Sequence, residues 1–110
     1  MAPQLFTIKK RATFVHIRDN GIFIRSKNIN IQRLMDQDLD GKIGVGYTAT
    51  KKIGNAVKRN KAKRIMRELA KKILIKSEIN NYFVLIAKVS ILDTKFKTLL
   101  EEMEKIINVK

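Results

Sequence analysis

Between Lys51 and Lys72 the sequence "KKIGNAVKRNKAKRIMRELAKK" sets Lys51, Lys52, Lys58, Arg59, Lys61, Lys63, Arg64, Arg67, Lys71 and Lys72 against one acid, Glu68. Like charges at this density repel one another and add nothing to a fold. A solvated helix face normally alternates charge sign and gains i,i+4 pairs, and this segment forgoes them. The chemistry such side chains can do is to neutralise a polyanion, and the phosphates of a nucleic acid fit best. Phosphate contacts position a partner without specifying it, so charge alone does not separate RNA from DNA.

Other residues that could do chemistry fare less well. "DQDLDGKIGVGY" puts Asp36, Asp38, Asp40 and Gly41 at the first, third, fifth and sixth places of a calcium loop, but the twelfth, which needs a bidentate Glu, is Tyr47. A polar hairpin turn accounts for it. "GVGYTA" places Gly44, Gly46 and Ala49 at dinucleotide-loop spacing, yet the helix after it begins too late; "GNAVKRNK" lacks the Gly-Lys-Ser/Thr ending of a phosphate loop. His16 is the sole histidine, with no second group at a spacing suited to acid–base work, and reads as a helix-surface side chain. Glu101, Glu102 and Glu104 read as a solvated helix face. The residues therefore specify no protein-borne catalytic group and no metal site. Unpaired bases stack on aromatics, and of Phe14, Tyr47, Tyr82, Phe83 and Phe96 most fall on core periodicities; Phe14 is the candidate surface stacker.

The elements that must carry these groups follow from periodicity. Thr7–Gly21 has apolar residues at helical spacing (Ile8, Ala12, Phe14 or Val15, Ile17), with Asn20-Gly21 as a stop. Gly21–Met35 alternates as one or two strands broken near Arg25–Asn28. Ile43–Ala49 alternates Ile43, Val45, Tyr47 and Ala49 against Gly44, Gly46 and Thr48, a strand with a bulge or with something lying close on its backbone. From about Asn55 to Ile75 the period becomes helical: Ala62, Ile65, Met66, Leu69 and Ile73 make one stripe, and Asn60, Lys63, Arg64, Arg67 and Lys71 the opposite side. Asn81–Val89 reads as a buried strand, and Asp93 as the N-cap of a last helix with Phe96, Leu99, Leu100, Met103, Ile106 and Ile107 facing the core. The expected architecture is one α+β domain over residues 1–110, an α/β two-layer sandwich in the order αβββαβα.

Composition agrees. Of 110 residues, 45% are apolar, so the chain has a core to fold around, and 24 basic against 10 acidic side chains leave +14. The absence of cysteine fits a reducing cytoplasm. "YFVLIA" is too short to span a bilayer and no apolar run follows Lys9–Arg11, so neither a membrane partner nor a signal peptide is expected.

The ordered segment Val45–Glu68, "VGYTATKKIGNAVKRNKAKRIMRE", closely resembles the signature of the bacterial ribonuclease P protein subunit. The matching features are Gly46, Lys51-Lys52, Gly54-Asn55-Ala56-Val57, Arg59-Asn60-Lys61, Lys63-Arg64 and Arg67. Outside it, "KKRATF" before a short first helix and the closing strand and helix extend the likeness over most of the chain. The resemblance implies an accessory to a catalytic RNA that removes the 5′ leader of precursor tRNA with magnesium ions bound by the RNA and none by the protein. It implies contact with the catalytic RNA through Lys51, Lys52, Asn55, Arg59, Asn60, Lys61, Lys63, Arg64, Arg67 and Lys71. It implies a leader-binding cleft at Phe14, Arg18, Gln32, Thr48 and Thr50, one copy of the protein per RNA, and a cytoplasmic setting. The fold implied is a sheet of about four mixed strands with a left-handed βαβ crossover through the basic helix, against the general right-handed rule. Two positions depart from the family pattern. Lys61 stands where an Arg would offer a bidentate fork, and Arg18 and Gln32 stand where further aromatics are frequent, shifting leader binding toward charge and hydrogen bonding. A ribosomal or general RNA-binding protein is the alternative that charge, size and fold also suit. A self-contained nuclease is disfavoured by the missing His/carboxylate constellation.

Overall fold

The computed structural model describes residues 4–108; residues 1–3 and 109–110 of the expected domain lie outside the described residues. Its elements are β1 (Leu5–Thr7), α1 (Arg11–Asn20), β2 (Ile22–Ile24), β3 (Ile29–Met35), β4 (Ile43–Thr48), α2 (Ala56–Ile73), β5 (Asn81–Ala87) and α3 (Phe96–Asn108). They build one mixed five-stranded sheet in the order β1-β4-β5-β3-β2, with β1, β4 and β5 parallel and β3 antiparallel to both β5 and β2. The α+β architecture expected from the sequence is present, with one strand more at the front.

That strand corrects the reading of Thr7–Gly21 as a continuous helix. Ile8 is buried with the α1 residues, but it arrives from β1: its N–H donates to Val45 O at 2.9 Å, prolonging the parallel pairing. The acidic turn is also not a hairpin, because β5 lies between β3 and β4. Asp36 Oδ1 accepts from Asp38 N, a 3-10 turn spans Gln37–Leu39, and the chain steps over the end of β5. Gly41 N–H donates to Asn80 Oδ1 and Asn80 N–H to Lys42 O, fastening the step to the residue before β5.

The alternation along each strand sorts side chains onto two faces. Ile29, Ile31, Ile43, Val45, Phe83, Leu85 and Ala87 face α2 and α3 and form the larger core with Ala62, Met66, Leu69, Ile73, Leu99, Met103 and Ile106. Ile8, Ile17 and Val84, with the half-buried Phe6, Phe14, Leu34, Tyr82 and Ile86, form a thinner cluster under α1. The apolar stripes read from the sequence for both long helices are the faces that pack. The last helix starts later than its expected N-cap. Asp93 ends a 3-10 turn, and Thr94 stays extended because its hydroxyl bonds Ser90 O and Asn28 Oδ1.

Candidate nucleic-acid interface

The basic segment begins just after β4. Thr50 leads a 3-10 turn over Lys51–Ile53 in which Ile53 is buried and Lys51 and Lys52 are left outside. Gly54 follows at φ 137°, a conformation that side chains rarely adopt, and a Cβ there would lie 2.8 Å from Lys58 Cδ. Asn55 then caps α2, its Oδ1 accepting from Lys58 N at 3.0 Å. Of the residues expected to meet the catalytic RNA, Asn55 therefore already has a structural task. Arg59 is similarly engaged: its Nη1 donates to Gly54 O at 3.1 Å, which folds the half-buried guanidinium back onto the loop.

Asn60, Lys61, Arg64, Arg67 and Lys71 are exposed on α2, and Lys63 is half-buried. Among the described residues the only ion pair on this helix is Lys71 with Glu68, at 3.7 Å. The first turn holds no acid and carries Lys58 and Arg59 instead. Cations there oppose the helix dipole, at a cost of about 0.3–1 kcal/mol each when exposed. Arg67 lies over Tyr47, its guanidinium carbon 5.7 Å from the ring centroid. Burial pushes the Tyr47 phenol above its ordinary pKa, and the nearby Arg67 charge pulls partly the other way.

The second group of expected residues lies on the other face of the sheet. Cross-strand register lines up Gln32, Val84 and Gly46 in one row, and Asn30, Ile86 and Thr48 in the next. Gly46 is the floor beneath Phe14: a Cβ at that position would collide with Phe14 Cε1 and lie 2.7 Å from its Cζ. Gly44 likewise makes room for Phe6 and Tyr82. The glycines on alternate positions of β4 thus serve ring packing from within the chain. Phe14, Gln32 and Thr48 therefore share the face of the sheet that carries α1, in two adjacent cross-strand rows. Arg18 is exposed and its Nε donates to Asp19 at 3.1 Å. Thr50 belongs to the adjoining open groove of about 740 Å³, which it lines with Asn30, Lys51, Lys52, Ile86 and Lys88. That groove runs from the Asn30–Ile86 row of the sheet to Lys51 and Lys52. Sequence reasoning missed Asn30 and Ile86, because they meet Thr48 only through the β3–β5–β4 register, a long-range property; Lys88, just past β5, donates from Nζ to Ser26 O at 2.6 Å.

Other sequence candidates dissolve in the geometry. His16 is exposed on α1, with Nδ1 3.2 Å from Asn20 Nδ2. Among the described residues no three His, Asp or Glu side chains converge into a metal-holding group, and no helix is long and apolar enough to cross a membrane.

Comparison with known proteins gives one answer. The family model described as Ribonuclease P matches residues 2–109. The ribonuclease P protein component of a Nitratiruptor species is 33% identical over 101 residues, which is 92% of this chain and 88% of that protein. The RNase P protein of Staphylococcus aureus superposes with a TM-score of 0.81 at 28% identity, covering 94% of this chain and 96% of that one. The Thermotoga maritima RNase P protein, 19% identical, shares the fold with a TM-score of 0.79 over 96% of this chain and 98% of that one.

Proposed function

This chain belongs to the bacterial ribonuclease P protein family, and from that membership we infer how its two faces divide the work. It is the protein subunit of a ribonucleoprotein that removes the 5′ leader of precursor tRNA, and catalysis is carried by the RNA. On our reading the exposed side of α2, with Lys51 and Lys52 ahead of it, grips the catalytic RNA. The contacts are Lys51, Lys52, Asn60, Lys61, Lys63, Arg64, Arg67 and Lys71. Arg59 and Asn55 act chiefly by shaping the loop and cap that present them. The cleft of Phe14, Gln32 and Thr48, opening past Thr50, receives the single-stranded leader. Arg18 lies at the cleft's flank, where its charge can follow the leader phosphates.

The observation that carries the first assignment is the row of exposed α2 cations Lys61, Arg64 and Arg67 left without carboxylate partners, following a first turn in which Lys58 and Arg59 oppose the helix dipole. A partner rich in phosphate removes both costs at once. We assign the magnesium ions to the RNA subunit, where they supply charge neutralisation during leader removal. The chain's own part is to add fixed positive charge beside them and to lengthen the grip on substrate. We take the complex to hold one protein per RNA, in the cytoplasm.

The test is cleavage of precursor tRNA by a bacterial ribonuclease P RNA at low magnesium, with and without this protein, beside a control of protein alone. We expect the protein to rescue cleavage at the mature 5′ end and to be inert alone. Binding to the RNA with cleavage unchanged would leave a general RNA-binding protein as the better reading. Cleavage by the protein alone would make it a nuclease in its own right.

A further inference from the structure

Phe23 is 50% exposed, although it sits in a strand of the sheet. Its neighbour Ile24 packs with the α2–α3 core, so alternation turns Phe23 to the opposite face, the one that carries α1 and the cleft. Phe23 is the direct cross-strand partner of Gln32. It therefore extends the row Gln32–Val84–Gly46, whose far end lies under Phe14. Three strand spacings, roughly 14 Å, separate the backbone positions of Phe23 and Gly46. Sheet-based binders of single-stranded RNA stack about two or three bases over such a width.

The charge beside Phe23 fits the same ligand. Arg25 is exposed, and its guanidinium carbon lies 5.8 Å from the Phe23 ring centroid. Among the described residues no carboxylate pairs with Arg25. A bare phenyl ring on an edge strand invites self-association, and nothing in the core gains from it. An aromatic with an unpaired arginine over it is the combination that holds an unpaired nucleotide, the ring taking the base and the cation the phosphate.

We propose that Phe23 and Arg25 form a second stacking site for an unpaired leader base, at the opposite end of the cleft from Phe14. Gln32 lies between the two rings and supplies an amide for hydrogen bonds; Asn30 stands in the adjoining row, where its Oδ1 accepts from Ser26 N and its amide N–H groups face the same side of the sheet. The proposal rests on the assignment of that cleft to the leader. It makes β2 part of the substrate surface, with the leader held at two aromatic points.

The experiment uses the reconstituted holoenzyme with wild-type protein, Phe23→Ala, Phe23→Tyr or Phe14→Ala. It measures affinity for mature tRNA and for precursor tRNAs whose leaders are shortened nucleotide by nucleotide. Phe23→Ala should weaken full-leader precursor by about 5- to 100-fold and leave mature tRNA unchanged. Its effect should set in at a defined leader length, and Phe23→Tyr should restore binding. A 2-aminopurine placed in the leader should lose fluorescence against wild type and Phe23→Tyr, and recover it against Phe23→Ala. Phe23 is exposed on an edge strand, so the alanine variant should melt with the wild type; if it does not, Phe23→Tyr and the 2-aminopurine signal decide. If Phe23→Ala binds every leader as wild type does while Phe14→Ala loses leader dependence, the second site falls and the cleft stands. If wild-type protein shows no preference for leader-bearing substrate, the cleft assignment falls and takes this site with it.

Discussion

A methyl group at position 46 would collide with Cε1 of Phe14 and sit 2.7 Å from its Cζ. The packing of α1 on the sheet therefore depends on a hydrogen atom where any other residue has carbon. Gly46→Ala should lift the Phe14 ring off the sheet and cost about 1–3 kcal/mol in urea unfolding, the usual range for overpacking. Phe14→Ala should weaken precursor tRNA more than mature tRNA, and equal loss for both would remove Phe14 from the leader path. The two changes should also be non-additive. Once the ring is gone, the alanine at 46 meets nothing it displaces, so the double variant should be more stable than the sum of the singles implies. Asn55 poses a different question, because the sequence marks it for RNA and the structure gives it a cap. Asn55→Ala should cost about 1 kcal/mol, and Asn55→Ser should return most of it by capping in the same way. If RNA affinity follows stability across that pair, the side chain acts by ordering the start of α2.

The whole basic helix was legible in the sequence because its two faces differ so sharply in chemistry. Ala62, Met66, Leu69 and Ile73 are buried where their period puts them, and Arg64, Arg67 and Lys71 are exposed where theirs does. The same helix gives the most direct electrostatic prediction. Binding to the catalytic RNA should weaken steeply with salt, by roughly 0.7–0.9 in log–log slope for each phosphate neutralised. Arg67→Ala should flatten the slope by about one such contact, whereas an unchanged slope would leave Arg67 to its stacking on Tyr47 alone. Elements fixed by distant partners were not legible. β1 is three residues long and carries no period; its existence depends on Ile43, Gly44 and Val45 offering a free edge. The acidic turn has hairpin composition but bridges β5, a fact that resides in strand order. The row of the proposed leader cleft was legible only in pieces, since Gln32, Val84 and Gly46 are far apart in the chain and meet through register. Phe23 carries no signal of its own for the same reason: it gains a role only with Gln32 beside it.

Taken as one body, the molecule concentrates positive charge and must be held together against it. A net charge of +14 on 110 residues favours expansion, and the edge bearing β2 and β3 is far in sequence from the helix that braces it. Glu102 on α3 makes that tie. Its carboxylate accepts from Ser26 Oγ at 2.6 Å, Asn28 N at 2.8 Å and Asn28 Nδ2 at 2.7 Å. Partial burial disfavours the charged form, but the hydrogen bonds from Ser26, Asn28 and the Ile29 backbone outweigh it and hold the Glu102 pKa below the ordinary range. A carboxylate with a depressed folded pKa stabilises the fold above its unfolded value, about 4.3 for Glu, and loses that contribution as pH falls through the folded value. Protonation there also adds to the net positive charge, so both effects act in one direction. Thermal melts should therefore show stability constant near neutrality and declining below about pH 4.3, with added salt recovering only the part due to self-repulsion. Glu102→Gln should reduce the acid-side slope and lower stability at neutral pH by about 1–3 kcal/mol, since an amide presents one carbonyl oxygen to the donors that a carboxylate satisfies. If the acid-side slope is the same in Glu102→Gln and wild type, the tie between α3 and the β2–β3 turn is not what acid breaks.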